Sequence, residues 1–211
     1  MNDEGISPGR GSEIIGCIDE CMKNIEKFKK DRLAQPGQPF KFTIPQDGVG
    51  LSYERVFKPF LDDNVKHILV EDPHLSKLHQ LQNLCCFSTL CKRNALNLDK
   101  ITLVTRKSKY FAMSESSSEA EEKNQHEVFQ YLKQNLQPIK FNVEYKEFHD
   151  RKIIFENGAS SWHVQIGRGL DYFKPVIVDE RFTKLACHPE YYEMEFRRCK
   201  ETQVTISFSE A

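Results

Sequence analysis

The residues best suited to chemistry lie in the last third of the chain: His149-Asp150-Arg151, then Glu156-Asn157-Gly158, then Gly167-Arg168-Gly169-Leu170-Asp171. An imidazole, two guanidiniums and several glycines between short apolar runs are the raw material of a phosphate-binding floor. Arg supplies fixed positive charge in a planar fork that Lys cannot match, and glycine lets the backbone approach the anion. His149 and Arg151 are two apart at the start of an expected strand, so both can point to one face. Arg168, between two glycines at the end of a neighbouring strand, can reach that face as well. The plainer alternative pairs Arg151 and Arg168 with Asp150, Glu156 or Asp171, simply holding strand ends together. Their gathering on a glycine-bordered loop favours function. A nucleophile, base and acid are not all evident in the segment, which points to recognition of phosphate and not to turnover.

Composition narrows the classes. A chain of 211 residues supports one main domain with appendages. The hydrophobic fraction of 39% with 15 Phe implies a packed core, and a net charge of −1 argues against a general nucleic-acid binder. Any basic surface must be local. The seven Cys contain no C-x-x-C pair and no matching His spacing for zinc, so no metal or cofactor is expected. An odd thiol count with no signal-peptide pattern suggests reduced cysteines in the cytoplasm. No run approaches the ~20 apolar residues of a membrane span, so any membrane role is peripheral.

Periodicity then supplies the elements that must position these residues. Residues 1–11 read as a disordered tail. Ile14, Ile18, Met22, Ile25 and Phe28 recur at helical spacing after Ser12, giving a helix to about Leu33 and a Gly/Pro linker to residue 39. Seven acidic and seven basic residues over 1–45 favour its packing on the domain core or a partner subunit over lying on a membrane. Residues 40–211 read as one α/β domain. An extended Phe40–Ile44 and a helix through Tyr53–Leu61 precede a strand at Val65–Val70, a helix at Leu78–Cys91 and a strand at Ile101–Thr105. That order implies a parallel pair with a right-handed crossover. Ser114–Lys123 reads as a polar, acidic loop whose serines invite phosphorylation. A helix through Val128–Leu136 and a strand at Ile139–Val143 follow, then strands at Lys152–Phe155, Trp162–Ile166, Tyr191–Phe196 and Val204–Phe208. The expected fold is a mixed sheet flanked by helices, with antiparallel later strands.

Several separated motifs, in register, resemble one family. Gly50-Leu51-Ser52-Tyr53-Glu54-Arg55-Val56-Phe57, Val70-Glu71-Asp72-Pro73-His74, His79-Gln80-Leu81, Phe148–Gly158 and Ile166–Phe173 are similar to the C-terminal domain of the MIT-domain-containing protein 1 family over roughly residues 40–208. The resemblance implies a phospholipase D-like fold, a homodimer, binding to acidic phosphoinositide membranes at an endosome or the midbody, and work with ESCRT-III in the final cut of cytokinesis. The family's MIT domain is a three-helix bundle that grips ESCRT-III tails. Only one helix is legible before residue 40, which is a departure from that pattern. The Ala159-Ser160-Ser161 stretch is a second departure, expected to lengthen a hairpin loop.

Active phospholipase D-like proteins carry His-x-Lys-x4-Asp, with His as nucleophile and Lys on the phosphate. Here His149 is kept, Arg151 stands at the Lys position and Glu156 at the Asp position. The resemblance therefore implies a non-catalytic, phosphate-gripping remnant, and a single motif copy fits a dimer joining two half-sites. Residues 92–109 add Lys92, Arg93, Lys100, Arg106, Lys107 and Lys109 against Asp99 alone, bracketing a strand whose ends are expected to open on one side of the sheet. Each such cation near an anionic membrane contributes about 1 kcal/mol. The candidate lipid-binding set is His149, Arg151, Lys152, Arg168, Arg106, Lys107 and Lys109. Arg197-Arg198 with Lys200 serves equally as strand-edge protection, and Trp162 reads as core. Two rivals stand beside this reading. One is a phosphodiesterase, lipase or nuclease, using paired His149 residues across a dimer. The other is an interaction protein whose 12–33 helix docks a partner.

Overall fold

In the computed structural model, residues 39–107, 115–174 and 197–210 are described, with residues 16, 19, 20, 22–27 and 30; for 115–118 the backbone alone is described. The expected tail 1–11, strand Tyr191–Phe196, Ser114 and candidate Lys109 lie outside these residues.

Seven strands form one sheet: β1 (Phe40–Ile44), β2 (His67–Glu71), β3 (Lys100–Thr105), β4 (Lys140–Tyr145), β5 (Lys152–Glu156), β6 (Ser160–Ile166) and β7 (Thr202–Glu210). Their order is β1-β7-β6-β5-β2-β3-β4. β2, β3 and β4 are parallel, and β5, β6, β7 and β1 continue the sheet antiparallel. Helices α1 (Tyr53–Phe57), α2 (Leu78–Asn94) and α3 (Glu115–Asn135) accompany it, with a 3-10 turn at Lys58–Phe60. The expected mixed α/β sheet is therefore present, and each predicted strand among the described residues forms within a few positions of its predicted limits.

The sheet's two faces differ. Ile68, Ile101, Phe155 and Trp162 share one side by register, as do Phe141 and Val164. Phe57 and Phe87 meet Phe155 on this side, Phe60 meets Phe155 and Trp162, and Phe129 from α3 meets Phe141. The ring contacts of all three helical layers thus fall on one face. The other face bears His67, Glu71, Thr102, Lys152, Glu156 and His163, in line with the strand period of two. The short α1 starts where the Ser52 hydroxyl accepts the Arg55 N–H at 3.3 Å. Gln80 Oε1 accepts the N–H groups of Ser76 and Lys77 at the start of α2.

Three expectations are corrected. Residues 115–123 are the first turns of α3, not a loop; Glu, Ala and Lys carry enough helix propensity to extend a helix that Val128, Phe129 and Leu132 anchor in the core. Ser160 and Ser161 are not loop residues: they pair with Glu210 and Ser209 on β7, and the β5–β6 connection is Asn157–Ala159. There Asn157 Oδ1 accepts the N–H groups of Ala159 and Ser160, and Gly158 takes φ 88. Lastly, the basic run 92–109 does not open on one side. Lys92, Arg93 and Lys100 lie near the start of β3, whereas Arg106 and Lys107 follow its end. Lys92 is also occupied, donating to the carbonyls of Asn135 and Gln137 at the end of α3. At the N-terminus, residues 22–27 are helical, Ile25 is buried in the core and Asp19 pairs with Arg55 at 3.8 Å.

Phe155 is the ring at which the sheet and three helical contributions meet. Phe155→Ala is expected to cost about 3–5 kcal/mol, read as a lower urea midpoint with little change in slope.

Candidate functional site

The residues that could do chemistry collect beyond the carboxyl ends of the parallel strands, the edge at which open α/β sheets bind ligands. β2 runs into Asp72-Pro73-His74, β3 into Arg106-Lys107, and β4 into Glu147-Phe148-His149; Arg151 leads into β5, and Gly167–Asp171 follows β6. Two cations set the geometry. Arg106 donates from Nη2 to the Phe148 carbonyl and pairs through Nε with Glu147 at 3.0 Å, which fixes the segment carrying His149. Gln125 of α3 secures this corner by donating to the carbonyls of Leu75 and Arg106.

Arg151 is the second. Its Nε lies 3.5 Å from Asp72 Oδ1, and its Nη1 donates to the Gly167 carbonyl at 3.3 Å. Asp72 is buried, with its side chain 3% exposed, and also accepts the His74 N–H at 3.0 Å. Gly169 closes over this pair. It adopts φ +57, and a Cβ there would stand 2.1 Å from Asp72 Oδ2 and 3.0 Å from Arg151 Cδ. Only glycine fits. The loop is pressed down by two phenols: Tyr53 donates to the Leu170 carbonyl, and Tyr172 donates to the Leu51 carbonyl at 3.0 Å. Both rings belong to the aromatic core with Phe57, Phe87 and Phe173.

Burial pushes the Asp72 carboxyl up to about 6 against the opposing pull of Arg151 and of the His74 and Leu170 N–H groups. Burial likewise lowers the His74 imidazole, and Arg151, Arg106 and His149 depress it further by charge. Next to them, burial raises Asp171, but His79 and Lys200 outweigh it and hold that carboxyl below its ordinary range. Asp171 Oδ2 lies 3.0 Å from Lys200 Nζ, and Oδ1 is 3.5 Å from His79 Nε2.

The candidate residues divide accordingly. His149, exposed, and Arg151 and Arg106, partly buried, converge on the Asp72–His74 corner. Lys152 alternates to the opposite sheet face, where it pairs with Glu71 at 3.1 Å. Arg168 leans towards β7: its Nε donates to the Glu201 carbonyl and its N–H to Thr202 Oγ1. Lys107 sits over the Tyr145 ring at 5.6 Å. Glu156 is at the far end of β5 from Arg151 and pairs with His67 Nδ1 at 2.8 Å, while His67 Nε2 meets Thr102 Oγ1 at 2.9 Å. Neither Arg151 nor Arg168 takes the partner that strand-end pairing would give it. Asp72 and His74 had no role from sequence reasoning; their signal is an Asp-Pro-His directly behind a five-residue strand whose Ile68 and Val70 are buried, where a carboxylate is drawn out of solvent.

Fold and site together define a phospholipase D-like domain. The model of the phospholipase D-like domain found at the C-terminus of MIT matches residues 50–208, and the chain belongs to that family. It is 32% identical over 199 residues to mouse MIT domain-containing protein 1, an alignment covering 92% of this chain and 72% of the relative. That share is wider than the span of the family model, so the likeness continues outside residues 50–208.

Asp72 supplies a direct test of this corner. Its raised folded-state value means that the native protein holds the proton more tightly than the unfolded chain, so the ionised group weighs against folding as pH rises from 3.8 through about 6. Asp72→Asn is therefore expected to stabilise the protein by about 1–3 kcal/mol near pH 7.5. The gain should vanish below about pH 4, as measured by chemical denaturation at both values.

Proposed function

We propose that this domain is a non-catalytic reader of phosphate on acidic, phosphoinositide-bearing membranes, working as a homodimer in ESCRT-III-linked membrane remodelling such as cytokinetic abscission. The observation that carries this is the split of the His-x-Arg-x4-Glu motif. His149 and Arg151 lie in a basic corner with Arg106, whereas Glu156 faces His67 at the other end of β5. Cations without an assembled nucleophile, acid and base suit an anion that is held and not cleaved. A headgroup would be met by Arg106, Arg151 and His149, with Lys107 nearby. Lys152 and Arg168 would add long-range attraction to an anionic surface. Among the described residues, no helix is long and apolar enough to cross a membrane; in this reading attachment is peripheral, from the cytoplasm, at an endosome or the midbody, a location that rests on the family likeness. The dimer and the ESCRT-III link rest on the family likeness; a single motif copy per chain supports two half-sites brought together. The rival reading is a phosphodiesterase with His149 as nucleophile.

Vesicle sedimentation separates the two. Binding is expected to phosphoinositide vesicles and not to neutral phosphatidylcholine, and to weaken with salt as the Debye length shortens from ~8 Å at physiological ionic strength. Removing Arg151 alone would leave Asp72 buried and unpaired, so Asp72→Asn/Arg151→Ala is compared with Asp72→Asn. The added substitution should cost about 1–3 kcal/mol of affinity. Equal binding to neutral and acidic vesicles would sink the electrostatic reading, and phosphodiester hydrolysis by wild type that His149→Ala abolishes would establish the enzyme instead.

A further inference from the structure

The phosphate corner contains its own competing anion. Asp72 Oδ1 stands 3.5 Å from Arg151 Nε, so the guanidinium offered to a ligand is shared with a carboxylate that cannot move away. Gly169 leaves no room on one side, since a Cβ there would overlap Asp72 Oδ2. The loop over it is pinned by Tyr53 and Tyr172. Asp72 Oδ1 also accepts the His74 N–H at 3.0 Å, and the His74 imidazole two residues on is under the charges of Arg151, Arg106 and His149. Two protonatable groups of opposite type therefore stand two residues apart beside one set of cations.

We propose that Asp72 and His74 make this site proton-gated: each takes a proton from solvent as pH falls, removing an internal counter-anion and adding a cation, so that a phosphate-bearing ligand is held more tightly in acid. The inference rests on the phosphate-binding reading above and adds its regulation.

The groups around the pair oppose one another: Arg151 favours ionised Asp72 and disfavours a cationic His74, while burial works against the charged form of each. Asp72 faces Arg151 from the start of β5, the His74 N–H beyond β2 and, more distantly, Asp171, whose charge is answered by Lys200 and His79. His74 faces Arg151, Arg106 and His149, and Arg106 is countered by Glu147. α3 contributes neutral Gln125 to this corner. Near pH 7.5 Asp72 is ionised and His74 neutral, because burial raises the one to about 6 and depresses the other below 6.5. An incoming anion repels the Asp72 carboxylate and attracts a proton onto His74, so ligand binding and proton uptake favour each other.

The test measures binding to phosphatidylcholine vesicles carrying phosphatidylinositol 4-phosphate, at constant ionic strength and at about pH 7.5 and about pH 5.5. Wild type is expected to bind about three- to tenfold more tightly at the lower pH, tenfold being one unit of coupled shift. The phosphate's own second proton, lost near pH 6, affects every variant alike and cancels in comparison. His74→Gln should flatten the pH ratio, and Asp72→Asn should raise binding at the higher pH towards the wild-type acid value. Competition by inositol 1,4-bisphosphate but not inorganic phosphate would place the coupling on the headgroup; competition by both would place it on phosphate as such, and each supports the gate if the pH ratio is reproduced. Binding that is flat with pH in wild type, or a ratio unchanged in both variants, overturns proton gating while leaving membrane binding intact. No binding to acidic vesicles at either pH overturns both.

Discussion

The contact between Arg151 and buried Asp72, closed over by Gly169, is the constraint around which this end of the molecule is built. A carboxylate this far from solvent is tolerated only with a cation and N–H groups on it, and those partners come from three places in the sequence: the residue leading into β5, the turn after β2 and the 167–171 loop. Removing the cation would cost more than the pair contributes, because the carboxylate would remain. The phenols of Tyr53 and Tyr172 extend that dependence into the aromatic core, tying the loop's backbone to α1 and the segment before it. Packing and site are one structure here, and the core determines the distance between a fixed anion and a working cation.

Much of this was legible in the chain. Ile68 and Val70 of β2 are buried in alternation and Ile101–Thr105 of β3 in a continuous run, and apolar stretches of this kind announce central strands. The periodic Leu81, Leu84, Leu90 and Cys91 similarly announce α2. Element type followed from local pattern because tertiary context agreed with it. Where local pattern misled, context had won. Residues 115–123 look like a loop by polarity, yet they continue a helix whose core anchors lie further on. Ser160 and Ser161 look like turn residues, yet β7 is long enough to pair with them.

The site was less legible, for a physical reason. His149, Arg151 and Arg106 could be picked out as cations, but cationic residue types do not reveal which anions they face. Arg151 finds Asp72, 79 positions earlier, and Glu156, only five residues away, is too far along an extended strand to meet it. Proximity in sequence suggested an Arg151–Glu156 pair; the strand geometry forbids it. Likewise, Asp72 and His74 carry their meaning only through burial and through neighbours that the sheet brings from elsewhere.

The alternation of β5 has one more consequence. Arg151 and Lys152 stand on opposite faces, each with its own acid: Asp72 for the first and Glu71 for the second. Slipping the strand by one residue would exchange them, leaving total charge and ion-pair number unchanged. Yet the planar fork that spans Asp72 and the Gly167 carbonyl would then lie on the face of His67 and Glu156, and a single-point ammonium would take its place under Gly169. What the strand encodes at this edge is therefore the order of two cations, a kind of handedness in the wiring that no measure of net charge or electrostatic potential averaged over the surface would detect.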